Sequence, residues 1–327
     1  MDRIITLVRR SGLKLIAAVV IASPNIATAA YPDKPISVAL PFALGGPVDI
    51  LMRAVQEPLQ KELGQPVVIV PKEGASGIVA TRYVARAPAD GYTLLIQTNG
   101  MLITPQINKQ AGFDPLRDFE PVALLGVQPM VLVTHPSLPV KTVQELISYA
   151  KAHPGEIDFA SSGPASNGRL ATETFMKLAD IKMNHVPYKG VGQITLALMS
   201  GEVQLMLSSV TPQISQQIKE GKLNLLGTAS AGESALMPGV EPISNTLKGF
   251  QAEVWFLIAA PAGTPPDVVD KLQKSITHVL NTPQMQERFK AASATVKTAT
   301  PDVLKHMMAD EYSRIGEIVS EIGDINK

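Results

Sequence analysis

Several loops that follow predicted strands are rich in glycine and small polar residues, which can bind anions through neutral hydrogen bonds. The first, residues 41–49, contains Gly45 and Gly46 directly before a predicted helix. Glycines let backbone amides turn toward one point, and a helix N-terminus carries roughly half a positive charge. The loop can therefore hold a carboxylate without a lysine or arginine. The alternative is a tight strand-to-helix turn in which Asp49 only stabilises the first helical turn.

Similar residues recur after four later strands. These are Thr98 and Asn99, the serines and asparagine of segments 161–163 and 166–168, Tyr188, and Ser208. Ligands in parallel α/β sheets lie beyond the carboxyl ends of the strands, so these side chains are candidates for one shared site. Each loop taken alone is also an ordinary turn with a helix cap, and Tyr188 either walls a cleft or caps the core.

Motifs for catalysis and cofactor binding are missing. The chain contains no G-x-S-x-G, H-E-x-x-H or G-x-G-x-x-G, and its five histidines are widely separated in sequence. The absence of cysteine excludes disulfides, thiolate metal sites and a cysteine nucleophile. Lysine plus arginine equals aspartate plus glutamate at 29 each, which gives no reason to expect a nucleic-acid partner. The sequence therefore predicts no enzyme, no cofactor and no bound metal.

The N-terminus is typical of an export signal. Basic residues including Arg9, Arg10 and Lys14 precede the apolar segment 15–22, and Ala27-Thr28-Ala29 offers a cleavage site. We predict that residues 1–29 are a signal peptide and that the protein is periplasmic. We favour export by the ordinary secretory route over the twin-arginine route. Removing these residues leaves a formal charge of −3.

Further along, short apolar segments alternate with helical patterns, which indicates the α/β class with parallel sheets. The pattern predicts consecutive strands at 122–125 and 130–134, a break in the alternation, and only helices after a strand at 254–259. It also predicts two lobes with a ligand cleft between them. Lobe 1 comprises residues 30–129 and 252–327, and lobe 2 comprises residues 130–251.

Five short motifs along the chain resemble those of one known family. They are Y-P-D-K-P-I at 31–36, P-F-x-x-G-G-x-x-D at 41–49, A-D-G-Y-T-L-L at 89–95, H-V-P-Y-K-G at 185–190 and A-P-A-G-T-P at 260–265. The mature chain thereby resembles the substrate-binding proteins of bacterial tripartite tricarboxylate transporters, the Bug or TctC-like family. The resemblance implies a Venus-flytrap fold that binds an organic carboxylate between its lobes, a membrane transporter as partner, and a monomer. It also implies that residues 42–46 hold one carboxylate, largely through main-chain groups and bridging waters.

Two departures from the family pattern bear on specificity. Arg169 stands where the family commonly has histidine, and it either pairs a second carboxylate or lies on the helix surface, which we favour. Ser208 replaces an acidic residue, which weakens the expectation of an amino-acid ligand. The candidate ligand-binding residues are Phe42, Ala43, Leu44, Gly45, Gly46, Asp49, Thr98, Asn99, Ser161, Ser162, Ser166, Asn167, Arg169, Pro187, Tyr188 and Ser208.

Two other functions stay open from the residues alone. One is a secreted α/β hydrolase, which would need Ser161 or Ser162 in a spatial Ser-His-acid arrangement. The other is a ligand-presenting protein that docks on a receptor kinase.

Overall fold

The computed structural model describes residues 31–230 and 232–322, so the predicted signal peptide lies outside the described residues. These residues form ten strands and ten α-helices, which alternate along most of the chain. The strands are β1 Ile36–Leu40, β2 Val67–Pro71, β3 Thr93–Thr98, β4 Phe119–Thr134, β5 Asp158–Ser161, β6 Asn184–Pro187, β7 Leu205–Ser209, β8 Asn224–Thr228, β9 Glu253–Pro261 and β10 Thr295–Val296. The helices are α1 Pro47–Leu63, α2 Ile78–Ala85, α3 Gly100–Ile107, α4 Val143–Ala152, α5 Asn167–Ala179, α6 Val191–Ser200, α7 Pro212–Lys219, α8 Pro266–Leu280, α9 Pro283–Ala291 and α10 Pro301–Ile322.

One continuous path of strands runs through the described chain in the order β2-β1-β3-β9-β4-β7-β5-β6, with β8 and β10 also paired to β4. Residues 119–129 of β4 pair with β9, and residues 130–134 pair with β7 and β8. We call β1–β3, β9, β10 and residues 119–129 the first half, and β5–β8 with residues 130–134 the second half. The long strand β4 therefore belongs to both halves.

Local sequence explains why these elements form. The strand β4 is apolar along nearly its whole length and is buried almost throughout, as expected for a strand covered on both faces. Helix α1 has Pro47 in its first turn, where the missing amide has no helical partner anyway. It ends at Gly64, whose φ of 69° is the left-handed conformation of a helix C-cap.

Three expectations about the strands are wrong. The segments 122–125 and 130–134 form one strand, because shifts in the pairing register absorb Pro121 and Gly126 without ending the ladder. The sheet is mixed, since β9 runs antiparallel to both β3 and β4. A further short strand, β10, follows the predicted last strand and pairs with β4 at Gly126 and Val127.

The described helices lack the features of a membrane-spanning segment. Within residues 31–230 and 232–322, no helix combines the length and the apolar character that a membrane span needs.

Candidate functional site

A cavity of about 290 Å³ is lined by residues from both halves of the sheet. Ten of the sixteen predicted site residues lie in its wall: Phe42, Ala43, Leu44, Gly45, Gly46, Thr98, Ser162, Ser166, Asn167 and Ser208. The loops after β1 and β3 contribute from the first half, and the loops after β5 and β7 contribute from the second. The structure therefore brings together loops that are far apart in sequence.

Four helices begin at the cavity wall. The first residues of α1, α3, α5 and α6 are Pro47, Gly100, Asn167 and Val191, and all four line the cavity. A helix N-terminus presents unpaired amides and a partial positive charge. The arrangement creates a favourable site for negative charge without a buried cation.

Among the described residues of the wall, one side chain carries a formal charge. Of the residues in 31–230 and 232–322 that line the cavity, Lys189 is the single lysine or arginine, and none is an aspartate or glutamate. Lys189 is exposed, and no described residue forms an ion pair with it. The cavity is thus suited to an anion and offers no carboxylate to an ammonium group.

The remaining wall is apolar. Phe42, Met130, Val254 and Phe256 face the cavity beside the polar loops, and Met130 and Phe256 are almost completely buried. Apolar walls with a few polar groups are typical of small-molecule sites. Such a wall accommodates the carbon skeleton of an organic acid.

Six predicted site residues do not line the cavity: Asp49, Asn99, Ser161, Arg169, Pro187 and Tyr188. The buried Asn99 side chain instead donates from Nδ2 to the backbone oxygen of Glu253 at 3.0 Å. The Tyr188 hydroxyl donates to Glu202 at 2.8 Å, which directs this ring to its own half of the molecule. These contacts show side chains that support the loops around the cavity.

Asp49 stabilises the loop that follows β1. Its carboxylate accepts a hydrogen bond from the amide of Gly45 at 2.8 Å and pairs with Arg53 at 2.8 Å. Gly45 has a φ of 79°, a conformation that glycine adopts without strain. The carboxylate therefore holds the turn in place and lies outside the cavity wall.

The expectation that Arg169 lies on the helix surface is wrong. Arg169 is 8% exposed, and its guanidinium pairs with Glu173 one turn later at 2.5 Å and lies 5.2 Å from the ring centre of Phe159. Burial raises the pKa of Glu173, and the adjacent guanidinium opposes that rise. Arg169 thus compensates the largely buried carboxylate of Glu173 in its own helix.

A serine and a histidine are in contact outside the cavity wall, next to the lining residue Ser162. Ser161 Oγ lies 2.6 Å from His185 Nε2, yet Ser161 is 1% exposed and does not line the cavity. Burial and the nearby Arg169 charge lower the pKa of His185 to about 4. A general base needs a pKa near the working pH and an orienting acceptor, and no described carboxylate bonds this ring. The pair is suited to holding the Ser161 loop and unsuited to activating a nucleophile.

Several lining residues were not predicted as site residues, among them Ser76, Lys189, Gln193 and Ser209. Lys189 belongs to the motif H-V-P-Y-K-G, which was a signal for it. Ser76 lies in Gly74-Ala75-Ser76-Gly77, directly before the helix that the sequence pattern predicts over residues 77–87. No group of three or more potential metal ligands occurs among the described residues.

The fold and the cavity define the class of protein. The chain has the fold of periplasmic solute-binding proteins, an α/β architecture that solved members of that class share. It belongs to the TctC family, the receptors of the tripartite tricarboxylate transporter family. The sequence model of TctC matches residues 51–324. The members of this family are binding receptors and not enzymes.

Individual relatives agree with that assignment. Protein BugT of Bordetella pertussis is 35% identical over 94% of this chain and 95% of its own length. A Rhodopseudomonas palustris protein solved with adipate is 30% identical, with a TM-score of 0.84 over 90% of this chain and 98% of its own. MatC from the same species, solved with malate, is also 30% identical, with a TM-score of 0.81 over 88% and 99% of the two chains.

Proposed function

We propose that this protein captures a small organic carboxylate in the cavity and delivers it to the membrane subunits of a tripartite transporter. The observation that carries the proposal is a wall built from four helix N-termini and neutral donors, in which Lys189 is the single charged side chain among the described residues. The similarity to proteins solved with adipate and malate supports the same ligand class. We place the protein in the periplasm as a monomer, with residues 1–29 as its signal peptide.

The proposed ligand is a dicarboxylate. One carboxylate lies at the loop of residues 42–46 in the first half, and the second lies near Lys189 in the second half. Lys189 replaces Arg169 in this role, since Arg169 compensates Glu173. An amino acid is disfavoured because no aspartate or glutamate of the described chain lines the wall to pair with its ammonium group.

Ligand capture proceeds by closure of two lobes, residues 30–129 with 252–327 and residues 130–251. Support comes from β4, which changes partners from β9 to β7 and β8 at Pro129 and Met130. A ligand that contacts both lobes stabilises the closed state by its differential affinity, and a membrane partner can then distinguish loaded from empty protein.

The test is a thermal-shift screen of the purified protein with matched ligand pairs. Adipate and malate are compared with hexanoate and lactate, which lack one carboxylate, and with aspartate, which adds an ammonium group to a diacid. We expect a dicarboxylate to raise Tm most, because a ligand at 100 times its Kd adds about 2.7 kcal/mol. If a wider panel of mono-, di- and tricarboxylates, aromatic acids included, produces no shift, the proposal is wrong.

The role of Lys189 is tested by Lys189→Gln. We expect dicarboxylate affinity to fall about tenfold while the affinity for the matched monocarboxylate stays unchanged, since a hydrogen-bonded charge contributes roughly 1.5–3 kcal/mol. Lys182→Gln is the matched control, because Lys182 is also exposed near β6 but does not line the cavity. Equal losses for both ligands would contradict the dicarboxylate assignment.

A further inference from the structure

In the loop before α2, two consecutive residues that are not glycine have a left-handed backbone conformation. Ala75 has a φ of 48°, and Ser76 has a φ of 54° with a ψ of 34°. Glycine adopts this region freely, whereas a Cβ atom makes it unfavourable. Such strain persists only where the surroundings impose it, and it clusters at functional sites.

The surroundings of this loop do impose it. The amide of Gly77 donates to the oxygen of Gly74 at 3.0 Å, and the oxygen of Gly77 accepts from the Thr81 hydroxyl at 2.8 Å. A Cβ added to Gly77 would lie 2.8 Å from Gln97 Nε2 and 3.2 Å from Pro41 Cβ. The loop is therefore packed tightly against the ends of β1 and β3, and its conformation is held from both sides.

The two strained residues face different environments. Ser76 is half-buried and lines the cavity, whereas Ala75 is exposed and does not. No described residue hydrogen-bonds the Ser76 hydroxyl. That hydroxyl lies against the second half, since a Cβ on Gly163 would be only 2.7 Å from Ser76 Oγ. Ser76 thus places a donor at the point where the loops of the two halves meet beside the cavity.

We propose that Ser76 is a ligand-contacting residue, whose hydroxyl donates a hydrogen bond to a carboxylate oxygen of the bound ligand at the junction of the two halves. This assignment rests on the proposed carboxylate-binding function. It explains why a serine occupies a backbone conformation that glycine would adopt without strain. The side chain is retained at a cost to the stability of the unliganded protein.

Three single variants separate the side chain from the backbone. Ser76→Gly removes both the hydroxyl and the strain, Ser76→Ala removes only the hydroxyl, and Ala75→Gly relieves comparable strain next to the site without changing the cavity wall. Each is measured for Tm without ligand and for Kd by calorimetry with adipate and malate, or with the strongest ligand of the carboxylate panel.

We expect Ser76→Gly and Ala75→Gly to raise the unliganded Tm by roughly 2 °C, because strain relief exceeds the added freedom of the unfolded chain. Ser76→Ala should leave Tm nearly unchanged. Both Ser76 variants should weaken ligand binding by about tenfold, since the lost hydrogen bond is to a charged group. Ala75→Gly should bind as the wild type does.

Three results would overturn the assignment in distinguishable ways. Wild-type affinity in Ser76→Ala and Ser76→Gly would show that Ser76 does not contact the ligand, while leaving carboxylate binding intact. Equal weakening in Ala75→Gly would show that loop rigidity, and not the hydroxyl, matters. Failure of the wild type to bind any carboxylate would overturn the proposed function itself, and with it this inference.

Discussion

Helices α1 and α5 both begin at the cavity, and each has an ion pair between residues four apart near its start, but the two pairs differ in burial. In α1, Asp49 is 4% exposed while its partner Arg53 has a side chain that is 54% exposed. In α5, the side chains of Arg169 and Glu173 are 10% and 12% exposed. The negative charge of Asp49 near the N-terminus of α1 interacts favourably with the helix dipole. The positive charge of Arg169 near the N-terminus of α5 interacts unfavourably with it.

The comparison shows that charged residues beside this cavity serve the scaffold. Asp49 holds the turn at Gly45, and Arg169 compensates a buried carboxylate. The wall, as far as the chain is described, combines neutral donors, glycine-containing loops and apolar side chains with one exposed lysine. The two pairs should therefore respond differently to mutation, since a half-exposed pair contributes little and a buried pair is costly to break.

The largest expected effect is in Arg169→Ala. Removing the guanidinium leaves the largely buried Glu173 carboxylate without its compensating charge, so we expect a loss of about 3 kcal/mol in the free energy of unfolding. Urea denaturation measures it. Ligand affinity of the remaining folded protein should stay within about twofold of the wild type, because Arg169 does not line the cavity.

A double variant provides the control for that result. In Arg169→Met with Glu173→Met, both charges are replaced by apolar side chains, and most of the lost stability should return. A tenfold loss of dicarboxylate affinity in Arg169→Ala, with folding intact, would instead show that Arg169 contributes to ligand binding. The difference between the two ion pairs would then lie in function as well as burial.

An intermediate effect is expected for Asp49→Ala. The Gly45 amide loses its acceptor, which we expect to cost about 1–2 kcal/mol in stability. Affinity should fall by about fivefold, because residues 42–46 lose the contact that orients them. Asp49→Asn retains an acceptor and should keep most of the affinity, as measured by calorimetry. Arg53→Ala should change stability by no more than about 1 kcal/mol, and a larger loss would contradict the comparison.

The smallest effect concerns His185, whose pKa is lowered to about 4 by burial and by Arg169. Below the ordinary histidine pKa of about 6.5, the unfolded chain binds a proton that the native protein does not. The stability that comes from neutral His185 is therefore present above about pH 6.5 and is lost as the pH falls toward 4. At pH 7.5 we expect the wild type to have a higher Tm than His185→Gln. This Tm difference should narrow by a few degrees when the pH is lowered to 5. A constant difference would contradict the lowered pKa.

Much of the fold was predictable because local signals set its helices. The sequence patterns predict helices over 47–63, 143–152, 212–219 and 301–322, which are the bounds of α1, α4, α7 and α10. These patterns combine periodic apolar residues with proline or threonine at the start. Helix α3 was missed because Gly100 and the internal Pro105 are typical of a loop. The position of β9 between β3 and β4 was missed because apolar periodicity does not encode strand direction or partners.

The candidate site was predictable at the level of loops and less so at the level of side chains. Glycine and serine after strands indicated the loops around the cavity, which ten of the predicted residues line. The burial of Arg169 was not predictable, because it depends on how α5 packs in three dimensions. The strain at Ser76 was equally hidden, since φ at a single serine is decided by contacts such as those of Gly77.

The place of β9 also governs the order in which the chain can fold during synthesis. Because β9 lies between β3 and β4, the first half of the sheet has an open edge until residues 253–261 leave the ribosome. Pairings between distant segments form slowly, and an incomplete sheet cannot reach its native core. The native first half of the sheet therefore cannot be completed before most of the chain has been synthesised, because its central strand comes from residues far along the sequence.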